Sequence, residues 1–414
     1  MGKGQGNCVE RNALHEILTC KCAIQGATRM RTTRIVHVIP SLRKGGAERL
    51  CLDIARRLNQ NSDVETKVVI MRSINEYALE YPDVTPVVVN SSVVPSILGK
   101  WKIELNEWDA FVKEFNPNII HSHLFEAEMM TRYSTMEGVH YFTHCHDNMP
   151  QLKRLSWDEL GAKHRLTESY ERRFLIRQYA ACANQFIAIS SDTEQYFRSN
   201  LPTPLSDTVV RMPNAIDHGR FSAQSASNPT EGGELRLINI GSFVQKKNQR
   251  FLLHVLLRLR NNGVNATLTL VGDGPLRQQV EKEALALGLE NHVRFVGNVS
   301  NVESMLWACH LYVHSASYEP FGLVILEAMA AGLPVVALDG RGNRELHQDG
   351  INGYLVKEPD SETFAARIVE CTHNIAIWKG MSANSIEFSK QYDIEGYVNR
   401  LMRLYSNELE INSN

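Results

Sequence analysis

The sequence has no paired cysteine framework. Its eight cysteines are scattered over 414 residues, Cys20 and Cys22 stand too close for an easy bridge, and no C-x-x-C occurs. That pattern argues against a disulfide-stapled secreted scaffold and fits a reducing cytoplasm. No apolar run reaches a membrane span, because the longest is broken by Glu327. The N-terminus lacks the continuous apolar core of a secretory signal. Charge of one sign is also missing: the net charge is −2 and the pI about 6.7, which argues against a broad nucleic-acid-binding surface. There is no D-x-D carboxylate pair. Gly272-Asp-Gly-Pro275 starts like a dinucleotide fingerprint, but Arg277 stands where its third glycine is needed. What is left is ordinary globular composition, 43% hydrophobic and 22% charged, at a length that suggests two or more domains. The expected protein is soluble and cytoplasmic, or peripheral at the inner membrane face.

The most informative stretch runs from Ser317 to Ala337, S-Y-E-P-F-G-L-V-I-L-E-A-M-A-A-G-L-P-V-V-A. Pro320 suits a helix start, since its missing N–H would be unpaired there anyway. Phe321 to Ala331 is rich in helix formers. Gly332 reads as the C-terminal cap, Pro334 blocks continuation, and Val335 to Ala337 reads as a buried strand. The free N–H groups of Phe321, Gly322 and Leu323 would then form an anion site at the helix N-terminus. Gly322 keeps no side chain in the way of a phosphate. Glu319 lies just before the helix and Glu327 in its second turn. A diphosphate seat with one carboxylate in front and one beside it matches sugar, diphosphate and ribose in turn. Two glutamates at this spacing, taken alone, are more often solvated surface groups.

Elsewhere the pattern alternates strand and helix, which implies parallel sheets covered on both faces. Residues 1–33 read as an appendage, with Met30 as an alternative start and a basic membrane-surface arm as another reading. Arg34–Ile39 is a strand, and Gly45-Gly46 lie in a glycine loop opening a helix. Further strands are expected at 64–70, 85–89, 118–123, 139–146, 185–189 and 208–211. Helices are expected at 97–115, from 126, and over 148–183. Composition breaks at 222–234 (S-A-Q-S-A-S-N-P-T-E-G-G-E), which reads as a linker. The pattern restarts with strands at 235–240, 266–271, 293–296, 311–314, 334–338 and 354–356, and helices at 248–262 and 276–287. Asp393 to Leu409 closes the chain as an amphipathic helix. The domains are therefore 34–221 and 235–388, with a terminal segment 389–414. His121 and His123 share one strand face, as do His144 and His146. If those strand ends are adjacent, the four imidazoles have the chemistry to ligate a metal.

The string E-P-F-G-L-V-I-L-E from Glu319 to Glu327 resembles the signature of family 4 retaining glycosyltransferases, also called group 1 glycosyl transferases. The likeness covers about residues 34 to 388 and is strongest from 235 to 356. It implies an α/β GT-B fold: two doubly wound Rossmann-like domains facing an interdomain cleft, with the terminal helix crossing back to the first. It implies transfer of a sugar, with retention, from a nucleoside-diphosphate sugar to an acceptor hydroxyl, without a metal or other cofactor. A UDP-sugar is the favoured donor. The acceptor is a lipid-linked sugar, a polysaccharide or a small molecule. By resemblance, Glu327 binds ribose, Glu319 orients the donor sugar, Lys247 meets the diphosphate, and His146 contacts the donor from the first domain. Gly45-Gly46 looks like the family's first loop. Asn214-Ala-Ile-Asp217 is similar to its N-G-I-D, and Gly272-Asp-Gly-Pro275 to a turn near the base. Ser242 departs from the pattern, since the family's G-R-x-x-x-x-K has an arginine there. Lys246, Arg341 or Arg344 would have to substitute, or the diphosphate is held less tightly. Two alternatives stay open: a binding relative without turnover, which Ser242 motivates, and a GT-B sugar-nucleotide epimerase. A Rossmann oxidoreductase is disfavoured by the broken glycine fingerprint.

Overall fold

The computed structural model describes residues 32–95, 101–154, 163–224, 226–229 and 233–411. The expectations for residues 1–31, including Met30, lie outside them. Two all-parallel sheets form the core. The first has seven strands in the order β3-β2-β1-β6-β7-β8-β9. They are β1 (Thr33–Ile39), β2 (Val64–Ile70), β3 (Val87–Val88), β6 (Ile119–His123), β7 (His140–Cys145), β8 (Gln185–Ala188) and β9 (Val209–Arg211). The second has six, in the order β12-β11-β10-β13-β14-β15. These are β10 (Leu235–Ile240), β11 (Ala266–Val271), β12 (Val293–Gly297), β13 (Leu311–His314), β14 (Val335–Leu338) and β15 (Gly353–Val356).

Strands such as Ile35-Val-His-Val-Ile39 are apolar on both faces because helices cover both sides of each sheet. The orders reverse direction between β1 and β6 in one sheet and between β10 and β13 in the other. In such sheets the crevice at the carboxyl ends of the reversing strands is where ligands bind. The loop after β1 holds Gly45-Gly46. The loop after β10 holds Ser242 and Lys247, and the loop after β13 holds Glu319. Three of the singled-out motifs therefore stand at reversal points.

The terminal helix Ile394–Ile411 packs Ile394, Tyr397, Leu401 and Tyr405 against Ile35, Leu50, Ile54 and Phe142 of the first half. Within the expected linker, Ala226 N donates to Ala331 O of the second half at 3.0 Å and Ser227 N to Trp307 O at 2.9 Å.

Two helix expectations change. In place of a helix over 97–115, strands β4 (Ser92–Val94) and β5 (Lys102–Glu104) form an antiparallel hairpin, and the helix begins at Asn106. Residues 96–100 lie outside the described set. The expected helix over 148–183 is a short turn at Pro150–Leu152 followed by a helix at Lys163–Ala181, with 155–162 outside the described set.

Candidate active site

The Ser317–Ala337 stretch folds as loop, helix, cap and strand, but its helix runs from Leu323 to Ala330 rather than from Phe321. The cause is Gly322, whose φ of 103° is left-handed and ends helical geometry on its N-terminal side. The preceding loop is fastened elsewhere: Glu319 N donates to Gly340 O at 2.8 Å. Gly342 packs so closely that a Cβ there would lie 1.9 Å from Pro320 O. Phe321 consequently turns its ring into the core. Ile325 N already bonds Gly322 O at 2.9 Å, so the helical amides open to an anion are those of Leu323 and Val324. Pro320 sits in the loop, not at the helix start.

Those two residues line a cavity of about 600 Å³ between the halves. The second half adds Ser242, Lys247, Glu327 and Gly272-Asp-Gly274. The first half adds Arg43, Lys44, Gly45, Gly46, Arg49 and Tyr77. The cavity has the size of an ordinary small-molecule site. Glu327 is buried within it. Its Oε1 accepts from Arg49 Nη1 at 2.8 Å, and its Oε2 has no partner. An unpaired buried carboxylate oxygen is costly and marks a place for a hydroxyl donor.

Lys247 donates from Nζ to Glu319 Oε2 at 2.5 Å, and His314 Nε2 meets the same oxygen at 3.0 Å. Burial alone would push the Glu319 carboxyl up. The Lys247 ammonium and the His314 hydrogen bond outweigh it and hold the group well below the usual carboxylate range. Glu319 is thus behind Lys247, while Lys247 itself reaches the cavity wall. The Gly45 loop is held by Tyr77, whose hydroxyl accepts from Gly45 N at 3.0 Å and donates to Gly45 O at 2.9 Å.

None of the three cations expected to replace an arginine at 242 lines this cavity. Lys246 bonds Asp147 Oδ2 of the first half at 2.9 Å, and Arg344 bonds Asp339 at 2.7 Å. Arg341 is exposed on its own turn. The cation missed from sequence is Arg49. It directly follows Gly45-Gly-Ala-Glu48, which placed it in the first turn of the helix Gly46–Leu58.

His146 and Asn214 also lie off the cavity lining. His146, just past the end of β7, closes a stack of five imidazoles whose other members lie on β1, β6 and β7, in register as His37 opposite His121 and His123 opposite His144. His37 Nδ1 meets His123 Nε2 at 3.0 Å, and His123 Nδ1 meets His146 Nε2 at 2.8 Å. His144 stacks on His146 at 4.0 Å and its Nε2 meets Asn214 Oδ1 at 3.1 Å. His121 Nδ1 meets Tyr405 of the terminal helix at 2.5 Å. The neighbouring Asp147–Lys246 bond puts His146 at the edge where the halves meet. Two overlapping triads, His37/His121/His123 and His123/His144/His146, bring ligand atoms within 4.8 Å of one another. Both His123 nitrogens are already spent on neighbouring rings.

Known proteins resemble this chain in both halves. Residues 44–220 match the family described as Glycosyltransferase Family 4, and residues 221–387 match Glycosyl transferases group 1. A putative glycosyltransferase of Bacillus subtilis, EpsF, is 26% identical over 320 residues, 74% of this chain and 79% of its own. EpsD of the same organism is 29% identical over 40% of this chain. LpsE, a lipopolysaccharide core biosynthesis glycosyltransferase of Rhizobium meliloti, is 37% identical over 32%. These two matches span less than half of the relatives' length, 44% and 38%. Among solved structures, Anabaena HepE in complex with UDP and glucose superposes with a TM-score of 0.71 at 21% identity, over 90% of this chain and 99% of that one. WaaG, a glycosyltransferase involved in lipopolysaccharide biosynthesis, gives 0.64 at 19% identity over 90% and 99%. No helix among the described residues is long and apolar enough to cross a membrane. With the two family matches together spanning 44–387 and the two facing sheets of a GT-B fold, the chain belongs to the family 4, group 1 glycosyltransferases.

Proposed function

We propose that the protein transfers a sugar, with retention, from a nucleoside-diphosphate sugar to an acceptor hydroxyl, and that the donor is a UDP-sugar. The observation that carries this reading is the unpartnered Oε2 of Glu327, buried beside Lys247 and the open helix amides in the cleft cavity. In this reading that oxygen accepts a ribose hydroxyl. The diphosphate lies against the Leu323 and Val324 amides and Lys247, which stabilise the charge that grows on it as the bond to the sugar breaks. A bound diphosphate competes for Lys247 and frees a Glu319 oxygen for a donor hydroxyl. Gly45-Gly46 complete the site from the first half, His146 meets the donor sugar from the edge where the halves meet, outside the cavity lining, and Asn214 steadies the imidazole stack behind it. The sugar's C1–O bond to the diphosphate breaks. A new C1–O bond to the acceptor forms on the same face, and the acceptor's proton leaves on a diphosphate oxygen. Cations and amides neutralise the leaving group here, so the reading needs no metal.

HepE in complex with UDP and glucose supports the donor class. The names of LpsE and of a Mycobacterium leprae phosphatidyl-myo-inositol mannosyltransferase support a glycolipid or polysaccharide acceptor, met by a peripheral enzyme at the cytoplasmic membrane face. The test follows labelled UDP-, GDP- and ADP-sugars by NMR, with candidate acceptors and EDTA present. The expected product keeps the donor's anomeric configuration and forms only with acceptor. An inverted product contradicts the retaining step. Donor isomerised without acceptor assigns the epimerase reading, and tight binding without turnover the non-catalytic one that Ser242 motivates.

A further inference from the structure

A nucleoside diphosphate brings at least two negative charges into the cavity. Among the described residues, the second half lines it with one cation, Lys247, already committed to Glu319. Ser242 stands on the same wall and offers only a hydroxyl. The first half offers three cations. Arg43 is exposed, and Lys44 is paired with Glu80. Arg49 is different. Its side chain is mostly buried, its Nη1 holds Glu327 Oε1, and its Nε is buried with no partner. The Arg49–Glu327 pair therefore carries one unused donor and one unused acceptor. A phosphate oxygen suits the donor and a ribose hydroxyl suits the acceptor. These are neighbouring groups of one ligand, a ribosyl phosphate. Burial alone would lower the Arg49 pKa, and the facing Glu327 carboxylate raises it beyond the ordinary value, so the guanidinium stays charged.

We propose that Arg49 is the second cation of the diphosphate site, supplied by the first domain in the place that Ser242 leaves empty. This rests on the donor-site reading above. It makes the site complete only when the two domains face each other, because Arg49 and Lys247 come from opposite sides of the cleft. A guanidinium can also grip a phosphate with two parallel N–H groups, which an ammonium cannot.

The test is titration calorimetry in EDTA with whichever of UDP, GDP and ADP binds best, and with its parent nucleoside, on the full chain. Arg49→Met is expected to weaken diphosphate binding by about 10- to 100-fold, the range of a hydrogen bond to a charged group. The nucleoside should lose far less. Arg49→Lys keeps the charge but loses the two-pronged grip, so its loss should fall between those of the parent and Arg49→Met, and it serves if Arg49→Met folds poorly. Adding Ser242→Arg to Arg49→Met should restore at least tenfold. Diphosphate affinity within twofold of the parent in Arg49→Met would overturn the proposal. So would an equal loss for nucleoside and diphosphate, which would make Arg49 only a support for Glu327. No rescue by Ser242→Arg would remove the replacement argument. Lys247→Met weakening the diphosphate while Arg49→Met does not would sink this inference alone. A parent protein that binds none of the three diphosphates sinks the donor-site reading itself.

Discussion

The stack of histidines makes stability respond to acid in a way that can be isolated at His37. The ring is fully buried on β1 against His121 and His123 of β6, with His144 beyond. Burial lowers its pKa to about 3, and His144 adds to the effect. The unfolded chain binds a proton at this residue near pH 6.5, while the folded chain does not until about pH 3. Unfolding therefore takes up a proton at His37 between those values, so stability falls as pH falls below about 6.5. Each pH unit is worth about 1.4 kcal/mol, which gives about 2 kcal/mol by pH 5. Other groups titrate too. Burial raises Glu128 to about 7, Arg132 opposing it, and that contribution runs the other way. The informative quantity is therefore the difference between the parent protein and His37→Asn, in which the groups not facing His37 cancel. The variant should melt lower at pH 7.5, since it opens a gap in a packed sheet. Its deficit should shrink by about 2 kcal/mol on going to pH 5. At about 2–4 °C per kcal/mol for a half of this size, the two melting curves should approach by about 4–8 °C. A gap that stays constant within a degree, or widens, would refute the buried, neutral histidine.

Three further outcomes follow from the cleft. Glu327→Ala should weaken nucleoside and nucleoside diphosphate alike, by about tenfold or more in calorimetry, because a hydroxyl loses a charged acceptor. Lys247→Met and Glu319→Gln should each lower turnover and melting temperature, and the double variant should fall short of their sum by about 1 kcal/mol or more, since the two groups share one buried contact. Gly342→Ala should cost about 1–3 kcal/mol in denaturant unfolding and weaken the diphosphate, because its Cβ would push Pro320 and the loop before Leu323.

Much of the fold was legible because apolar runs such as Arg34–Ile39, Leu235–Ile240 and Ala266–Val271 each end at a proline or glycine, Pro40, Gly241 and Gly272, and because Gly45, Gly241 and Gly322 punctuate strand-to-helix turns. The hairpin at 92–104 was not. Short apolar runs around Trp101 and Ile103 fit strand or helix alike, and only pairing with Ser92–Val94 decides. The helix start at Leu323 depended on contacts of Glu319 and Pro320 with Gly340 and Gly342, which local composition does not carry. Alternation along β6 and β7 brought out His121 with His123 and His144 with His146. It passed over His37, which joins them only through the β1–β6 register. Glu327 was readable from its own motif. Its partner Arg49 stands 278 positions away, and a spacing of that length has no local signal.

The central claim is a nucleoside-diphosphate site in the cleft between the two sheets. It is tested most directly by titrating UDP, GDP and ADP into the full chain in EDTA, alongside the Glu327→Ala variant. The account predicts that one diphosphate binds without metal and that Glu327→Ala weakens it by about tenfold or more. Failure of all three to bind, or binding that Glu327→Ala leaves unchanged, would contradict it.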